Sequence, residues 1–482
     1  MNKRLILYVI GSLLLVEAAA MLPSLGVALY FGDGDALAFV QTMLLLVAIG
    51  LPLRLLSKPR KKDLGPREGF IVVAAIWVLL SLFGCLPFML SGMIPHFADA
   101  FFETVSGFTI TGATIMSRME MQPRGVMFWR SFTHWIGGMG VLVLTLALLP
   151  QMTGRTAHLM KAESPGPTLS KLVPKMGDSA KILYIIYGVI TAVQAVVLML
   201  AGMNLYDALI HAFGTVGTGG FSNYTASISH FESPLIEWII TFFMLLCGVN
   251  FALFYRAAIG DWRGALKNEE MRWFLGIVGA FILGITLMIL PQYGDLFTAL
   301  RHSAFQVASV VSTTGYMTQD FNLWFQAAKM LLVLLMFMGG CAGSTAGGLK
   351  VIRVSLLLKM VKREVRRTFQ PRKMQVVRFE GKGVDEQMLS GITMFFCTYI
   401  LMLLAGTFVV SLENTYGFTE NFTAALTCIS NVGPGLGAVG PASNFAGYGP
   451  LSKFVLSFLM LAGRLEIFPM LILFHPAIWK RK

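Results

Sequence analysis

The sequence predicts an all-α integral membrane protein: two leading transmembrane helices, then four helix–pore-loop–helix repeats arranged pseudo-fourfold around one pore. Three observations predict it. The 482 residues are 56% hydrophobic and 13% charged, which excludes an ordinary globular domain. Four polar, glycine-bearing kinks each follow an apolar segment too short to span: Thr109-Ile110-Thr111-Gly112, Val216-Gly217-Thr218-Gly219, Ser312-Thr313-Thr314-Gly315 and Ser430-Asn431-Val432-Gly433. Basic residues collect in every second connection.

The leading pair (residues 1–67) comprises spans near Leu5–Tyr30 and Ala38–Leu55. The first is too long for a removable signal peptide, and a second span follows at once with no cleavage site between. The short Gly32–Ala36 connection carries Asp33 and Asp35 and is assigned outside. After the basic Lys58–Arg67 loop one unit recurs four times: a full span, a half-span ending in a kink, and a second full span. Repeat 1 (68–180) uses Phe70–Met89, Phe97–Phe108 and Arg124–Leu149. Repeat 2 (181–272) uses Ile182–Met203, Leu205–Thr215 and Leu235–Tyr255. Repeat 3 (273–387) uses Phe274–Leu290, Leu296–Val311 and Leu323–Phe337, continuing beyond a break to Val365. Repeat 4 (388–482) uses Met388–Leu412, Phe418–Ile429 and Leu451–Trp479.

Aligned on Gly112, Gly219, Gly315 and Gly433, the preceding position holds Thr111, Thr218, Thr314 and Val432. Irregular backbone at membrane depth is tolerated only where protein or a water-filled cavity satisfies it. A potassium ion sheds water only if oxygen dipoles replace it, and rings of backbone carbonyls do so without a full countercharge. Glycine adopts the positive φ that such a ring needs, and half-helices entering from outside would aim their negative ends at the ion. The residues assigned to a potassium filter are therefore Ile110, Thr111 and Gly112; Gly217, Thr218 and Gly219; Thr313, Thr314 and Gly315; Asn431, Val432 and Gly433. One such kink alone would read as a helix-packing site; four between paired spans read as a pore.

The net charge of +13 follows topology. Its clusters at Lys3–Arg4, Arg54–Arg67, Arg155–Lys181, Arg256–Arg272, Lys350–Lys382 and Lys480–Lys482 give the positive-inside pattern, with both termini cytoplasmic, and argue against nucleic-acid binding. The five cysteines are scattered singly through apolar segments, as buried free thiols rather than a disulfide or zinc framework.

With Val105-Ser-Gly-Phe-Thr-Ile-Thr-Gly-Ala113, Gly214-Thr-Val-Gly-Thr-Gly-Gly-Phe-Ser222, Ser312-Thr-Thr-Gly-Tyr316 and Ser430-Asn-Val-Gly-Pro-Gly435, the chain resembles the Trk, Ktr and HKT superfamily of potassium transporters. The two extra leading spans resemble the Trk branch, and the likeness covers essentially the whole chain. It implies a homodimer, one pore per subunit, in a bacterial inner membrane, regulated by a cytoplasmic nucleotide-binding ring of the TrkA type. In this family a serine in place of the first filter glycine is associated with sodium permeation; Gly112 stands here, which favours potassium.

In repeat 3, Met338–Gly348 holds five glycines in eleven residues, which would weaken a helix by several kcal/mol at about 1 kcal/mol each. Close helix packing is one reading. The preferred one is a mobile loop beneath the filter, a gate formed by Gly339, Gly340, Cys341, Ala342, Gly343, Ser344, Thr345, Ala346, Gly347 and Gly348 together with Arg464; the resemblance implies such an intramembrane loop. Arg464, midway along the last span, sets an electrostatic barrier if it faces the pore, or forms an ion pair with a carboxylate. Lys329 lies nearer the outer end. Asp99, Glu103, Asp207, Glu232, Glu237, Asp320, Glu413 and Glu420 fall near outer ends, as a cation-concentrating vestibule or as helix N-terminal acids. Lys350–Lys382 reads as ordinary positive-inside charge or as a docking surface for membrane lipid or the regulatory ring.

The predicted function is potassium uptake driven by membrane potential, with potassium as cargo and no cofactor. The alternative is sodium- or proton-coupled symport, for which no convincing carboxylate relay is present. A hydrolase built on Ser344 with His134 or His475 lacks both the nucleophile elbow and triad spacing.

Overall fold

The computed structural model describes residues 3–59, 66–140, 176–373 and 375–476. The Arg155–Lys175 part of one basic connection, residues 141–149 of a predicted span and the Lys480–Lys482 cluster lie outside them. Six helices are long and apolar enough to cross a membrane among the described residues. They are the leading pair, Lys3–Phe31 and Ala36–Leu56, and one peripheral helix per repeat: Gly69–Leu90, Ala180–Leu200, Glu269–Tyr293 and Glu386–Ser411. The first is two segments, Lys3–Ala20 and Leu22–Phe31, with Pro23 in the opening turn of the second, where a missing N–H costs no helical bond.

Each peripheral helix leads to a half-length pore helix: Phe97–Phe108, Leu205–Val216, Leu296–Val311 and Phe418–Ser430. Their starts are fixed locally. Asn204 Oδ1 accepts from Asp207 N at 2.9 Å and Asp295 Oδ2 from Thr298 N at 2.8 Å. Asp99 and Glu420 sit in the first turns of the other two, where the helix dipole favours acids. The pore helices are buried around most of their circumference, with small residues such as Ala304, Ala308, Ala424 and Ala425 permitting close approach to the axis.

Repeat 3 breaks where its glycines predict, whereas the second spans of repeats 2 and 4 differ from the sequence reading by breaking instead of running through, and the repeat 1 helix ends at Gly138. Repeat 1 stops at Gly138, with Gly140 at φ 84°. Repeat 2 bends by 92° between Pro234–Cys247 and Phe251–Ala258, where Asn250 Oδ1 caps Ala252 N at 2.9 Å. Repeat 3 breaks between Gln326–Met338 and Val351–Phe369, as its glycines predict. Repeat 4 breaks between Pro450–Arg464 and Phe468–Ile472, with Glu466 and Ile467 at φ 59° and 64°. A hydropathy window averages across breaks of two to four residues and sees one apolar span.

After Phe369 a short antiparallel hairpin pairs Arg378 with Gly383 and Phe379 with Lys382 before the last peripheral helix. Cys85, Cys247, Cys341 and Cys428 are buried free thiols, whereas Cys397 is exposed on a peripheral helix, contrary to expectation.

The leading hairpin docks on repeat 1 through its acidic loop. Asp35 Oδ2 accepts from Val126 N at 2.8 Å and Asp33 Oδ2 from Arg124 N at 3.0 Å, capping two orphan donors at the start of the first axial helix. Asp35→Ala is expected to cost about 0.5–2 kcal/mol, the range for a lost cap. Thermal unfolding of the purified protein in detergent checks this, and an unchanged midpoint would contradict it.

Candidate functional site

All four pore helices end in the same way. One residue turns into the left-handed region: Ile110 (φ 57°), Thr218 (56°), Thr313 (57°) and Asn431 (56°). The next N–H bonds the carbonyl five residues back: Thr111 to Ser106 at 2.9 Å, Gly219 to Gly214 at 2.8 Å, Thr314 to Ser309 at 2.8 Å and Val432 to Thr427 at 2.9 Å. This closure usually employs glycine at its left-handed position. Here three of the four are β-branched, so strain is concentrated at one level of the protein. A positive-φ glycine then follows in each: Gly112 (77°), Gly220 (73°), Gly315 (81°) and Gly433 (99°).

That geometry corrects the register of repeat 2 by one residue. The equivalent triplets are Ile110-Thr111-Gly112, Thr218-Gly219-Gly220, Thr313-Thr314-Gly315 and Asn431-Val432-Gly433. Gly217, which the sequence alignment put in the ring, caps its helix at φ −69°. The run Gly217-Thr218-Gly219-Gly220 offers two glycines after threonine, and matching on type selects the wrong one.

The triplets close into a ring. A Cβ on Gly112 would overlap the carbonyl oxygen of Gly219, one on Gly220 that of Thr314, and one on Gly315 that of Val432. On Gly433 it would lie 2.6 Å from the Thr111 oxygen. The order runs from repeat 1 to 2, 3, 4 and back to 1, so each glycine leaves room for a neighbouring repeat's carbonyl. All four glycines also line one cavity of about 250 Å³.

Hydroxyls brace this ring from behind. Thr109 Oγ1 donates to Val105 O at 2.7 Å and lies 2.8 Å from Thr111 Oγ1; Ser312 repeats the pattern with Ala308 O at 2.6 Å and Thr314 Oγ1 at 2.7 Å. Tyr399 OH lies 2.6 Å from Ser430 Oγ. Asn431 Nδ2 donates to Thr111 Oγ1 at 3.0 Å and Met460 O at 2.9 Å, tying the fourth triplet to the first.

The predicted acidic vestibule takes a different form. Glu103 is fully buried, 2.7 Å from Arg130 Nε, and accepts from Thr114 Oγ1 and Ile115 N at 2.8 Å, pinning the chain that leaves the first triplet. Arg130 lies over the Phe221 ring at 3.4 Å and donates to Ser222 O at 3.0 Å, so one ion pair locks the exits of triplets 1 and 2. Asp99 pairs with Lys453 at 2.6 Å and Glu237 with Arg301 at 2.9 Å. Asp207 accepts from Asn204, Asn223 and Tyr224 side chains, and Glu413 accepts from Gly449 N at 2.9 Å. These acids brace loops. Glu120, which the sequence reading missed, accepts from Thr225 N at 2.6 Å and Thr225 Oγ1 at 2.8 Å. Partial burial works against its charged form, but those bonds outweigh it and hold the carboxyl below its usual range.

On the opposite side of the ring lies the predicted loop, non-helical from Gly339 to Lys350. Gly347 N donates to Thr313 Oγ1 at 2.7 Å, and a Cβ on Gly347 would lie 3.0 Å from Asn431 Cβ, so the loop lies against triplets 3 and 4. It rests on the break in repeat 2, with Cys341 N bonded to Gly248 O at 2.8 Å and Phe251 N to Gly343 O at 3.0 Å. Glu270 Oε1 accepts from Ala342 N at 2.6 Å and Ile352 N at 3.2 Å, holding both ends of the loop, while Lys350 Nζ donates to Ala346 O inside it. Glu270 and Lys350 carried no sequence signal beyond being charged at a predicted membrane boundary.

Arg464 is at a helix terminus rather than mid-span. It donates to Thr345 O at 3.0 Å and to Gly137 O and Gly138 O at 2.6 Å, joining the loop to the broken end of repeat 1. Glu466 pairs instead with Arg353. Lys329 donates to Asn322 O at 3.1 Å, bracing a peripheral turn. Ser344 Oγ donates to Cys341 O at 2.6 Å, and His134 Nδ1 lies 2.7 Å from Gly107 O, so both are bound to backbone rather than to each other.

Breaking the Glu103–Arg130 pair leaves a fully buried guanidinium without its partner, at a cost of about 3–5 kcal/mol. Glu103→Gln is expected to lower the unfolding midpoint by several degrees. A vestibule acid would instead leave stability unchanged, and that result would restore the first reading.

Residues 36–481 match the TrkH family, described as a cation transport protein. The chain is 37% identical over 487 residues to the Trk system potassium uptake protein TrkH of Salmonella typhimurium, covering 100% of both chains. It is 34% identical over 488 residues to the Trk system potassium uptake protein TrkG of Escherichia coli, covering 99% of each. The crystal structure of the potassium transporter TrkH from Vibrio parahaemolyticus matches with a TM-score of 0.89 at 34% identity, covering 100% of both chains.

Proposed function

The chain belongs to the TrkH family of cation transport proteins and is a potassium uptake transporter of the Trk system, and from that premise we propose that potassium crosses through the Thr111, Gly219, Thr314 and Val432 carbonyl ring. It is a transport protein rather than an enzyme. The observation that carries the proposal is the closed succession of glycine against carbonyl around four repeats. Carbonyl dipoles replace an ion's hydration shell while leaving it weakly enough held to move on. The drive is electrical. One charge crossing 100 mV is worth ~2.3 kcal/mol, enough for roughly fiftyfold accumulation.

The Gly339–Gly348 loop acts as the gate, and Arg464 as its latch. Thr345 and the ends of the first axial helix offer carbonyls to one cation, which both fills the path and opposes a second positive charge. Cation-coupled symport is less well supported, because Glu103 and Glu237 are held in arginine pairs and form no relay. The family likeness and charge pattern support a bacterial inner-membrane location, cytoplasmic termini, a homodimer and a TrkA-type nucleotide-binding partner.

Gly112→Ser places a Cβ against Gly219 O and is expected to reduce potassium-over-sodium selectivity about tenfold, ~1.4 kcal/mol. Ion ratios in purified proteoliposomes test it; an unchanged ratio sinks the ring assignment. Arg464→Ala, and separately deletion of Gly343–Gly347, should raise rubidium flux into voltage-clamped liposomes without changing selectivity. Lower flux in well-folded protein would contradict a gate.

A further inference from the structure

Helix Val351–Phe369 emerges directly from the intramembrane loop, and Val351 N donates back to Gly340 O at 3.0 Å. Its first turns are anchored, with Ile352 and Leu356 buried against Ala342, Val377, Leu389 and Ile392. Beyond Leu356 two faces diverge. Leu358, Val361, Val365 and Phe369 recur three or four positions apart and are exposed. Lys359, Lys362, Arg363 and Arg366 have the same spacing on the adjoining face. With Lys373 and Arg378 these four cations line a groove of about 960 Å³, and no Asp or Glu lines it.

Two of the six are engaged: Lys359 with Glu269, and Arg363 with Glu364 and Glu386. Lys362, Arg366, Lys373 and Arg378 have no carboxylate at ion-pair distance in the groove among the described residues. Cations gathered without compensation repel one another and raise the local potential, so the groove fits a ligand with more than one negative charge. The exposed apolar stripe beside it adds a second requirement, for hydrocarbon. A basic face joined to an apolar face is the pattern of a helix lying along an anionic membrane surface. The charge distribution places this groove at the cytoplasmic leaflet.

We propose that the groove is a binding site for an anionic phospholipid bearing two phosphates, with its headgroup among Lys362, Arg366, Lys373 and Arg378 and its acyl chains along Leu358, Val361 and Val365. The lipid anchors the helix that carries the loop. Glu269, which holds Lys359 on the groove side, is followed by Glu270, which holds both loop ends, so the groove and the loop share one short segment of backbone.

The test uses the full-length protein in phosphatidylcholine nanodiscs, doped with cardiolipin or with phosphatidylglycerol. Native mass spectrometry reads the lipid that stays bound, and thermal unfolding reads its effect. Cardiolipin is expected to be retained preferentially and to raise the unfolding midpoint. Combined Lys362→Gln, Arg366→Gln and Lys373→Gln should lower retention about tenfold or more, since each lysine or arginine near an anionic surface contributes to binding. Val361→Ser with Val365→Ser should weaken retention while leaving all the cations in place. Equal retention by the charge variant overturns the proposal. Protection by inorganic pyrophosphate equal to that by cardiolipin overturns it in favour of a soluble polyphosphate. Unaltered lipid retention with loss of response to a cytoplasmic regulatory protein overturns it in favour of protein docking. None of these readouts requires transport, so failure here leaves the potassium pathway standing.

Discussion

The structure depends on one backbone constraint: a chain must stop being helical near the centre of a membrane and still have its polar groups satisfied. Each pore helix solves this with a left-handed residue followed by a positive-φ glycine. At Ile110, Thr218 and Thr313 a β-branched residue occupies a conformation that costs roughly 1–2 kcal/mol. Such strain persists only where surroundings over-determine it. The surroundings do so here. The five-back hydrogen bonds close each helix, the Thr109–Thr111 and Ser312–Thr314 hydroxyl pairs back the strands, and Glu103 with Arg130 fixes two exits at once. Buried Tyr316 adds a further brace, its hydroxyl 3.3 Å from both His211 O and Phe221 O.

The same constraint reaches the axial helices. Breaks in repeats 2, 3 and 4 and the helix end at Gly138 free carbonyls that need donors, and those donors connect the repeats. Arg464 serves the end of repeat 1 and the loop of repeat 3 together. The repeat 2 break gives Gly248 O to Cys341 N and receives Gly343 O at Phe251 N. The loop is held by individual hydrogen bonds and is also buried, with Cys341 and Leu349 in the main apolar core and Ala342 in a smaller cluster beside the following helix.

Much of this was legible in the residues. Pore-helix bounds agree to within a residue, because a polar or small residue starts each and a glycine-bearing kink ends it. The loop was legible because five glycines in Met338–Gly348 cannot be read as ordinary helix. The register of repeat 2 was not, since Gly219 and Gly220 are equivalent by type and differ only in φ. Breaks at Gly248–Asn250 and Leu465–Ile467 were hidden by flanking apolar residues. The pairings of Glu103 and Asp99 were not visible because their partners, Arg130 and Lys453, are 27 and 354 residues away in sequence. Burial pairs them, and burial is what a single sequence does not display.

The four repeats are unequal, and among the described residues repeat 3 carries the long break. The breaks in repeats 2 and 4 span three residues each, whereas the non-helical Gly339–Lys350 is longer and contacts triplets 3 and 4. Four copies of that loop would compete for one volume beneath one ring. Separate repeats in one polypeptide let the repeat 3 loop occupy it while repeats 2 and 4 supply the carbonyl, carboxylate and guanidinium groups that hold it. The cost is symmetry: Val432 stands where repeats 1 and 3 carry Thr111 and Thr314, and the Asn431 side chain spends its donors on Thr111 and Met460. The ring thus repeats one backbone pattern in all four triplets and becomes asymmetric in its side chains.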